Sequence, residues 1–535
     1  MAAQAPPNPS LWGPLRQPVF RALWLAGLAS DFGAWMHEVG EGWLMTSLSP
    51  SPFSVALLQA ADSFAIFLLA IPAGALADVV DRRRLGIVTQ AWLLVVALLL
   101  GLLTLTHRMT PGALIGLTFL MGVGAALDTS LWQAIVAEVV PRRDLPQAVT
   151  LGGLSINLAR AFAPAMGGLL VAAAGPFAVF FLNALTFALV IAVLARWRRN
   201  QPRAAAPGER WFDAMRGGLR YTRHSPQLLA AFARAAATLF GGICLMALLP
   251  PFARGTLRLG SLGFGVLLGC MGVGAVVAAA TLPKFDGKVS AETTLTAGTL
   301  ILAGALAMLG ASPSAGVAAL VMLVAGFAWM SVISSLNVAV QLATPSWVRA
   351  RVSSVFMLVF QGSLVLGAVV WGALAARTSV RAALVFAAGA VAASVVVRVW
   401  LPLVGRVPDF SPAAWPKPQL VCDPPEDAGP VLVMTTYRVA AANVDPFLAA
   451  MYELERIRRR EGAYNWGVYR DPSTADVYLE VYFVESWAEH LRQHARVTAD
   501  ERAAEQRAEK LAVSGSEPAV RHLIAADEVS SNDDK

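Results

Sequence analysis

Charge is scarce in this chain. Of its 535 residues only 14% are Asp, Glu, Lys or Arg, where a soluble enzyme would carry about 25%. Hydrophobic residues make up 56%, and the mean hydropathy is +0.59. That balance excludes an ordinary soluble globular protein and suits a polytopic membrane protein. Cysteine is nearly absent. Of Cys244, Cys270 and Cys422, two lie inside apolar runs, and no spacing offers a metal site or a disulfide framework. A GxxxxGK[ST] phosphate loop is missing, which argues against direct ATP drive. The opening residues MAAQAPPNPSLWGPLRQP lack a basic region followed by an apolar core, so no cleaved signal peptide is expected and the first apolar segment acts as a retained membrane signal. The net charge of +7 does not indicate nucleic acid, because the basic residues sit in short clusters between apolar segments.

What is present is a series of long apolar runs. A spanning helix needs about 20 mainly apolar residues. Such segments fall near 20–46, 53–77, 84–106, 112–139, 148–173, 176–196, 227–253, 262–283, 291–310, 314–342, 350–376 and 380–402. Lipid offers no partner for an open backbone group, so helices are expected, twelve in all. Lys and Arg concentrate in the even-numbered junctions: Arg82, Arg83 and Arg84, Arg142 and Arg143, Lys284 and Lys288, Arg349 and Arg351, and the basic 197–226 connection. The odd-numbered junctions are poorer, which places both termini in the cytoplasm. An internal repeat supports two halves. GVGAALDTSLWQAIVAEVVPRR from Gly122 aligns with GFAWMSVISSLNVAVQLATPSW from Gly326 at a shift of 204, matching the glycine, Gln133 with Asn337, and Pro141 with Pro345. The expected fold is therefore an all-α polytopic membrane protein. Its parts are a six-helix half over 1–196, a cytoplasmic hinge over 197–226 and a second half over 227–402.

The stretch GALADVVDRRRLG, Gly74 to Gly86, breaks the apolar pattern. Gly74, Asp78, Arg82 and Arg83 match the loop signature that follows the second helix in the major facilitator superfamily, which the chain resembles; Val79 and Asp81 depart from it. In segment 5, NLARAFAPAMGGLL resembles that superfamily's antiporter pattern through Pro164, Gly167 and Gly168, with Ala159 and Ala163 where glycines are usual. Together with GAWMHEVGEGWLMTSL in segment 1, these runs look like the transmembrane secretion effector branch, that of the enterobactin exporter. The resemblance covers roughly residues 15–405. It implies alternating access with a cytoplasmic latch, in which Asp78 caps the helix that starts near Arg349 and Arg82 pairs with Glu138. Asp81 is a candidate second partner. It also implies a cavity lined by segments 1, 4, 7 and 10.

An ionisable group in a span costs at least about 2.5–3.5 kcal/mol and needs a reason. Candidates at mid-depth are Asp31, Asp62, Asp128 and Arg160, with Arg234 nearer the cytoplasm; His37, Glu38 and Glu41 read as lying towards the periplasm. One of Asp31, Asp62 or Asp128 is expected to titrate during transport, the alternative being a permanent pair with Arg160. Arg160 either holds an anionic substrate group or pairs with a helix acid. Asn157, Gln133, Asn337 and Gln361 are polar lining or interhelical hydrogen bonds.

Past Leu401 the character changes. Residues 403–430 are Pro-rich and aperiodic and read as a linker. VLVMTTYRV, AYNWGVYRD, DVYLEVYFV and AVRHLIA alternate as strands; VDPFLAAMYELERIRRR and SWAEHLRQHARVTADERAAEQRAEKL have helical period. The order β-α-β-β-α-β is the split ferredoxin-like unit, an α+β domain over 431–526 with a disordered tail over 527–535. The run EVYFVESWAEHLRQH resembles the antibiotic-biosynthesis-monooxygenase type of dimeric ferredoxin-like domain. Some relatives of that type are enzymes using Asn, Trp and His, and the chain offers Asn465, Trp466, His490 and His494. His490 and His494 share a helix face but show no third ligand at a telling spacing, so a packed or solvated face is expected and no metal or cofactor is assigned. The tail reads as a dimerisation or regulatory module. The whole chain reads as a non-enzymatic secondary transporter. It exports a small hydrophobic or amphipathic molecule across the inner membrane by proton antiport, with the substrate, protons and lipid bilayer as partners. The alternatives are an importer, or a membrane-tethered sensor or enzyme working through its tail.

Overall fold

A computed structural model describes residues 10–70, 72, 80–197, 211–285, 287–311, 314–403, 408–413, 415, 424–513 and 519–525. Two compact units emerge. One comprises Met1–Gly208, Ala231–Val338 and Phe356–Leu403; the other comprises Glu209–Ala230, Ala339–Val355 and Val404–Lys535.

The first half contains α1 (Pro18–Leu48), α2 (Pro52–Leu69), α3 (Arg82–Leu105), α4 (Pro111–Val139), α5 (Leu145–Ala174) and α6 (Pro176–Arg196). Four of these open on proline, whose missing N–H and fixed φ suit the first helical position. After the amphipathic α7 (Trp211–Arg223) come α8 (Pro226–Gly242) and α9 (Cys244–Pro251), then α10 (Ser261–Thr281), α11 (Ala291–Ala311), α12 (Ala315–Leu342), α13 (Arg349–Arg377), α14 (Val380–Ser394) and a short α15 (Val397–Trp400). Among the described residues, 11 helices are long and apolar enough to cross a membrane. The expected count was twelve. The helix outside that set is α1, which is 31 residues long but carries Arg21, Asp31, Glu38 and Glu41 along its length.

The repeat read from sequence has a structural counterpart. The helices α4 and α12 begin 204 residues apart, and their matched glycines do matched work. A Cβ on Gly122 would meet the Asp62 carbonyl on α2 at 2.9 Å; one on Gly326 would meet the Met271 carbonyl on α10 at 1.8 Å. Only glycine allows backbones this close. The pairs α3–α6 and α11–α14 also pack alike. Arg83, at the start of α3, donates to the Leu194 and Ala195 carbonyls at the end of α6, at 2.9 and 2.6 Å. Arg381, at the start of α14, donates to the Gly310 and Ala311 carbonyls at the end of α11, at 2.8 and 2.9 Å. Each guanidinium satisfies orphan carbonyls where the helix dipole is negative.

In the second unit, β1 (Val431–Arg438), β2 (Tyr464–Arg470), β3 (Val477–Val484) and β4 (Ala519–Ile524) form one antiparallel sheet in the order β2-β3-β1-β4. Helix α16 (Val444–Glu461) follows β1. Alternate residues Val431, Val433 and Tyr437 of β1 enter the core with Phe447, Met451 and Leu454 of α16. Where one long helix was expected after β3, there are two: α17 (Trp487–Arg496) and α18 (Ala499–Glu509). The break is chemical. Thr498 and Glu501 stand at capping-box spacing, and Thr498 N donates to Glu501 Oε2 at 2.8 Å; Val497 turns extended and accepts a hydrogen bond from Ala413 N at 2.9 Å. Part of the stretch read as a linker is thus fixed to the domain: Pro412 bridges Thr498, and Trp415 donates to Glu505 at 2.5 Å.

Candidate functional site

A cavity of about 490 Å³ lies within the first unit, in the 300–1,000 Å³ range of small-molecule sites. Its polar wall is built by α1, α2 and α4, which contribute Asp31, Glu38, Glu41, Asp62 and Asp128. Positions 31 and 38 are seven apart, close to two helical turns, so both acids share one face of α1 with Trp35. The opposite wall is apolar: Met246, Leu249, Phe264 and Leu268 come from α9 and α10. The sequence-based expectation of lining from segments 1, 4, 7 and 10 needs adjusting. Segment 2 supplies Asp62, segment 8 supplies Phe264, and α12 supplies none of the lining residues.

The five carboxylates are not equivalent. Ser155 Oγ donates to Asp31 Oδ2 at 2.5 Å. Gln90 Nε2 donates to Asp128 Oδ1 at 2.8 Å. Glu41 Oε1 lies 3.0 Å from His37 Nε2 and accepts from Thr118 Oγ1 at 2.9 Å. Among the described residues, Asp62 and Glu38 accept no hydrogen bond from the protein; they line the cavity and feel charged neighbours, Asp62, Glu41 and Arg160 around Glu38, and Glu41 and His37 around Asp62.

Other candidates lie elsewhere. Arg160 stacks over the Trp35 ring, 5.4 Å from its centroid, and is not among the lining residues. Among the described residues no carboxylate forms an ion pair with it. Asn157 turns back to the Gly153 carbonyl at 2.8 Å. Arg234 is 3% exposed, paired with Glu292 of α11 and 3.3 Å from Thr296 Oγ1; it serves a helix contact and does not line the cavity. Gln133 and Asn337 are exposed. Gln361 is buried.

The α5 pattern lies at the tightest contact between the halves. Pro164 and Gly168 face a stripe of small residues on α10. A Cβ on Gly265 would meet the Pro164 carbonyl at 2.3 Å, one on Gly168 the Ser261 carbonyl at 2.5 Å, and one on Gly272 the Arg160 carbonyl at 2.1 Å. Gly167 faces the other way, with Met36 Cα 2.9 Å from its Cβ position. The facing stripe Ser261, Gly265, Gly269 and Gly272 was not among the sequence candidates, although its small residues at helical spacing are a signal that could have marked it.

In the charged stretch, Gly74 and Asp78 lie outside the described residues. Asp81 is the N-cap of α3, accepting from Arg84 N at 2.9 Å, and Arg82 Nη1 lies 3.5 Å from Glu138 Oε2. In the tail, Trp466 donates to Glu480 at 2.9 Å, and Asn465 sits in a bulge of β2 with φ 50°.

The family described as transmembrane secretion effector matches residues 9–530. The staphyloferrin A transporter of Staphylococcus aureus (strain NCTC 8325 / PS 47) is 22% identical over 47% of this chain and 64% of its own length, so the chain spans less than two thirds of that relative. The enterobactin exporter EntS of Salmonella choleraesuis (strain SC-B67) is 25% identical over 60% of this chain and 76% of its own. Among solved structures, a bacterial homologue of the iron transporter ferroportin in an inward-facing state has a TM-score of 0.58 at 14% identity, covering 72% of this chain and 98% of that one. A bacterial homologue of the lysosomal transporter Spinster has a TM-score of 0.56 at 16% identity, covering 72% and 95%. At these identities the structures speak to the fold alone, and the fold is that of a multi-pass membrane transporter. The relatives support a transport role and not an enzymatic one. The chain belongs to the transmembrane secretion effector family.

Proposed function

We propose that the chain is a secondary transporter of the inner membrane that exports a small amphipathic molecule by alternating access, in exchange for protons. In this reading α1 is the twelfth span, the two halves rock about the cavity, and both termini face the cytoplasm. One observation carries it. A single cavity joins carboxylates from α1, α2 and α4 of the first half to an apolar wall from α9 and α10 of the second. Intramembrane acids of this kind mark ion or proton pathways. His37 is the sole basic side chain among the described lining residues, which suits a neutral or cationic amphipathic substrate. Export is supported by the α5 pattern and by the name of one relative. The tail's strand order is compatible with the ferredoxin-like reading, and a homodimer through it is part of this proposal.

Profiling metabolites in cells and medium of a deletion strain identifies the substrate. Inside-out vesicles then test the mechanism. Acid inside is expected to drive uptake, and a protonophore is expected to abolish it. Uptake indifferent to the protonophore, or seen only in right-side-out vesicles, removes proton-driven export. The latch is tested separately. Arg82→Ala is expected to slow transport at least about fivefold, a loss near 1 kcal/mol, with normal amounts inserted in the membrane. Asp78→Asn is expected to do the same on the family resemblance. Unchanged initial rates per inserted protein in both variants refute the latch.

A further inference from the structure

The tail holds three of the chain's six histidines in one place. His490 and His494 lie one turn apart on α17, and His522 lies on β4, opposite Val433 of β1. One ring nitrogen of each falls within 4.8 Å of the other two. The Nε2 atoms of His490 and His494 are 3.2 Å apart. Two imidazoles on one tetrahedral ion, each with a metal–nitrogen bond of 2.0–2.1 Å, stand about 3.4 Å apart. A hydrogen bond between two neutral rings would explain that one spacing, but it leaves the convergence of the third ring unexplained. His490 is 1% exposed, and its Nδ1 makes no hydrogen bond. Trp487 packs on His490 and His522, and Trp415 on His494, with centroids 5.2, 5.9 and 4.9 Å apart. The nearby Arg458 is paired with Glu480 and Glu505, which offsets part of the positive charge that a cation in the cluster would meet.

We propose that His490, His494 and His522 bind one divalent transition-metal ion of the imidazole-preferring class, Zn2+ being the reference, with a fourth position left open. Three-histidine sets with an open position are an established zinc arrangement, and imidazole equally suits Cu, Ni and Fe. Burial first, then His522, pushes His490 down to about 3 and His494 down to about 4, with His494 adding to the shift of His490 and Arg458 to both. The rings are therefore neutral near pH 7 and enter as ligands without releasing protons. The ion would clip α17 to the edge strand β4, so metal supply would set how firmly the end of the tail is held.

The test uses the full-length protein in detergent, with its affinity tag removed and its metal stripped by chelation. Titration with Co2+ is expected to give one equivalent of four-coordinate visible absorption, displaced by Zn2+. His522→Ala is expected to weaken binding at least about tenfold, the lower edge of what losing even an outer-shell partner costs, while His107→Ala, in an exposed loop, changes nothing. Zn2+ is expected to raise the unfolding temperature of the wild type and not that of His522→Ala. His490→Gln is read only if it elutes like the wild type, since its ring is buried; His522→Ala decides the matter alone. No Co2+ spectrum in the wild type, or the same affinity in His522→Ala, overturns the site.

Discussion

Asp62→Asn is expected to lower proton-driven accumulation at least about tenfold, a loss of about 1.4 kcal/mol in transition-state terms, and Glu38→Gln is expected to act alike. Asp128→Asn is expected to cost less than about threefold. The difference rests on hydrogen bonding. Asp31, Asp128 and Glu41 are each fixed by a donor from a neighbouring helix. A carboxylate so held has reason to be there without moving a proton. Asp62 and Glu38 have no such donor among the described residues, yet retaining an acid in a span costs at least about 2.5–3.5 kcal/mol. A function of comparable size is the reason to retain them. Asparagine and glutamine preserve shape, so a second readout separates coupling from structure. Substrate-for-substrate exchange across proteoliposomes needs the cavity but no net proton movement. It is expected to survive in Asp62→Asn while accumulation driven by a pH gradient fails. Full accumulation in both variants removes these two residues from the coupling path.

The sequence disclosed the spans more fully than the site. Eleven of the twelve apolar segments correspond to helices that meet the length and apolarity of a span, because each needs only its own 20 residues to be recognised. Helix α1 falls outside that set for the same reason it matters: its acids lower its apolarity and line the cavity. Glu38 and Glu41 read from the sequence as lying towards the periplasm; the cavity gathers them with Asp31, and the seven-residue spacing puts Glu38 on the Asp31 face. Pairings across helices were not legible. Nothing in the order of residues links Arg234 to Glu292, 58 positions away, or Asp31 to Ser155, 124 positions away. Depth alone suggests Arg160 as a substrate or pairing group; it stacks over Trp35, and the Glu38 charge acts on it without a direct ion pair. The α5 pattern was legible and the small-residue stripe of α10 could have been found from spacing, but the pairing of the two could not.

The tail shows the same limit. Its strands were legible from alternation. The break between α17 and α18 was written in Thr498 and Glu501, a capping-box spacing inside a helical pattern that hid it. His522 could not be joined to His490 and His494 from sequence, because strand pairing brings it there. Glu480 is the clearest case. It lies on the face of β3 that alternation assigns to the core, between Tyr478 and Tyr482, and only its partners explain an acid there.

Those partners carry the second large prediction. Glu480 is 0% exposed. It accepts from Arg458 Nε at 3.1 Å, from Trp466 Nε1 at 2.9 Å and from the Tyr437 hydroxyl at 3.5 Å. Arg458 also donates to Glu505 at 2.7 Å, and these carboxylates hold its guanidinium charged despite burial. Removing one partner of a buried pair costs about 3–5 kcal/mol, because it strands the other charge in a medium that solvates it poorly. Glu480→Ala is therefore expected to lower amide exchange protection across β1 and β3 in the full-length protein on the order of a hundredfold or more. A double replacement, Glu480→Leu with Arg458→Met, removes both charges and fills their volume. It is expected to restore most of the protection, as apolar substitutes for whole buried pairs often do. Glu505 keeps Trp415 and Arg502 as donors, at 2.5 and 3.0 Å, in that variant. Protection unchanged in Glu480→Ala would show that apolar packing around Phe447 and Leu454 holds the sheet without the network. Protection lost in the single and not recovered in the double would assign the stabilisation to the hydrogen bonds that Glu480 accepts from Trp466 and Tyr437 and not to the charge pair.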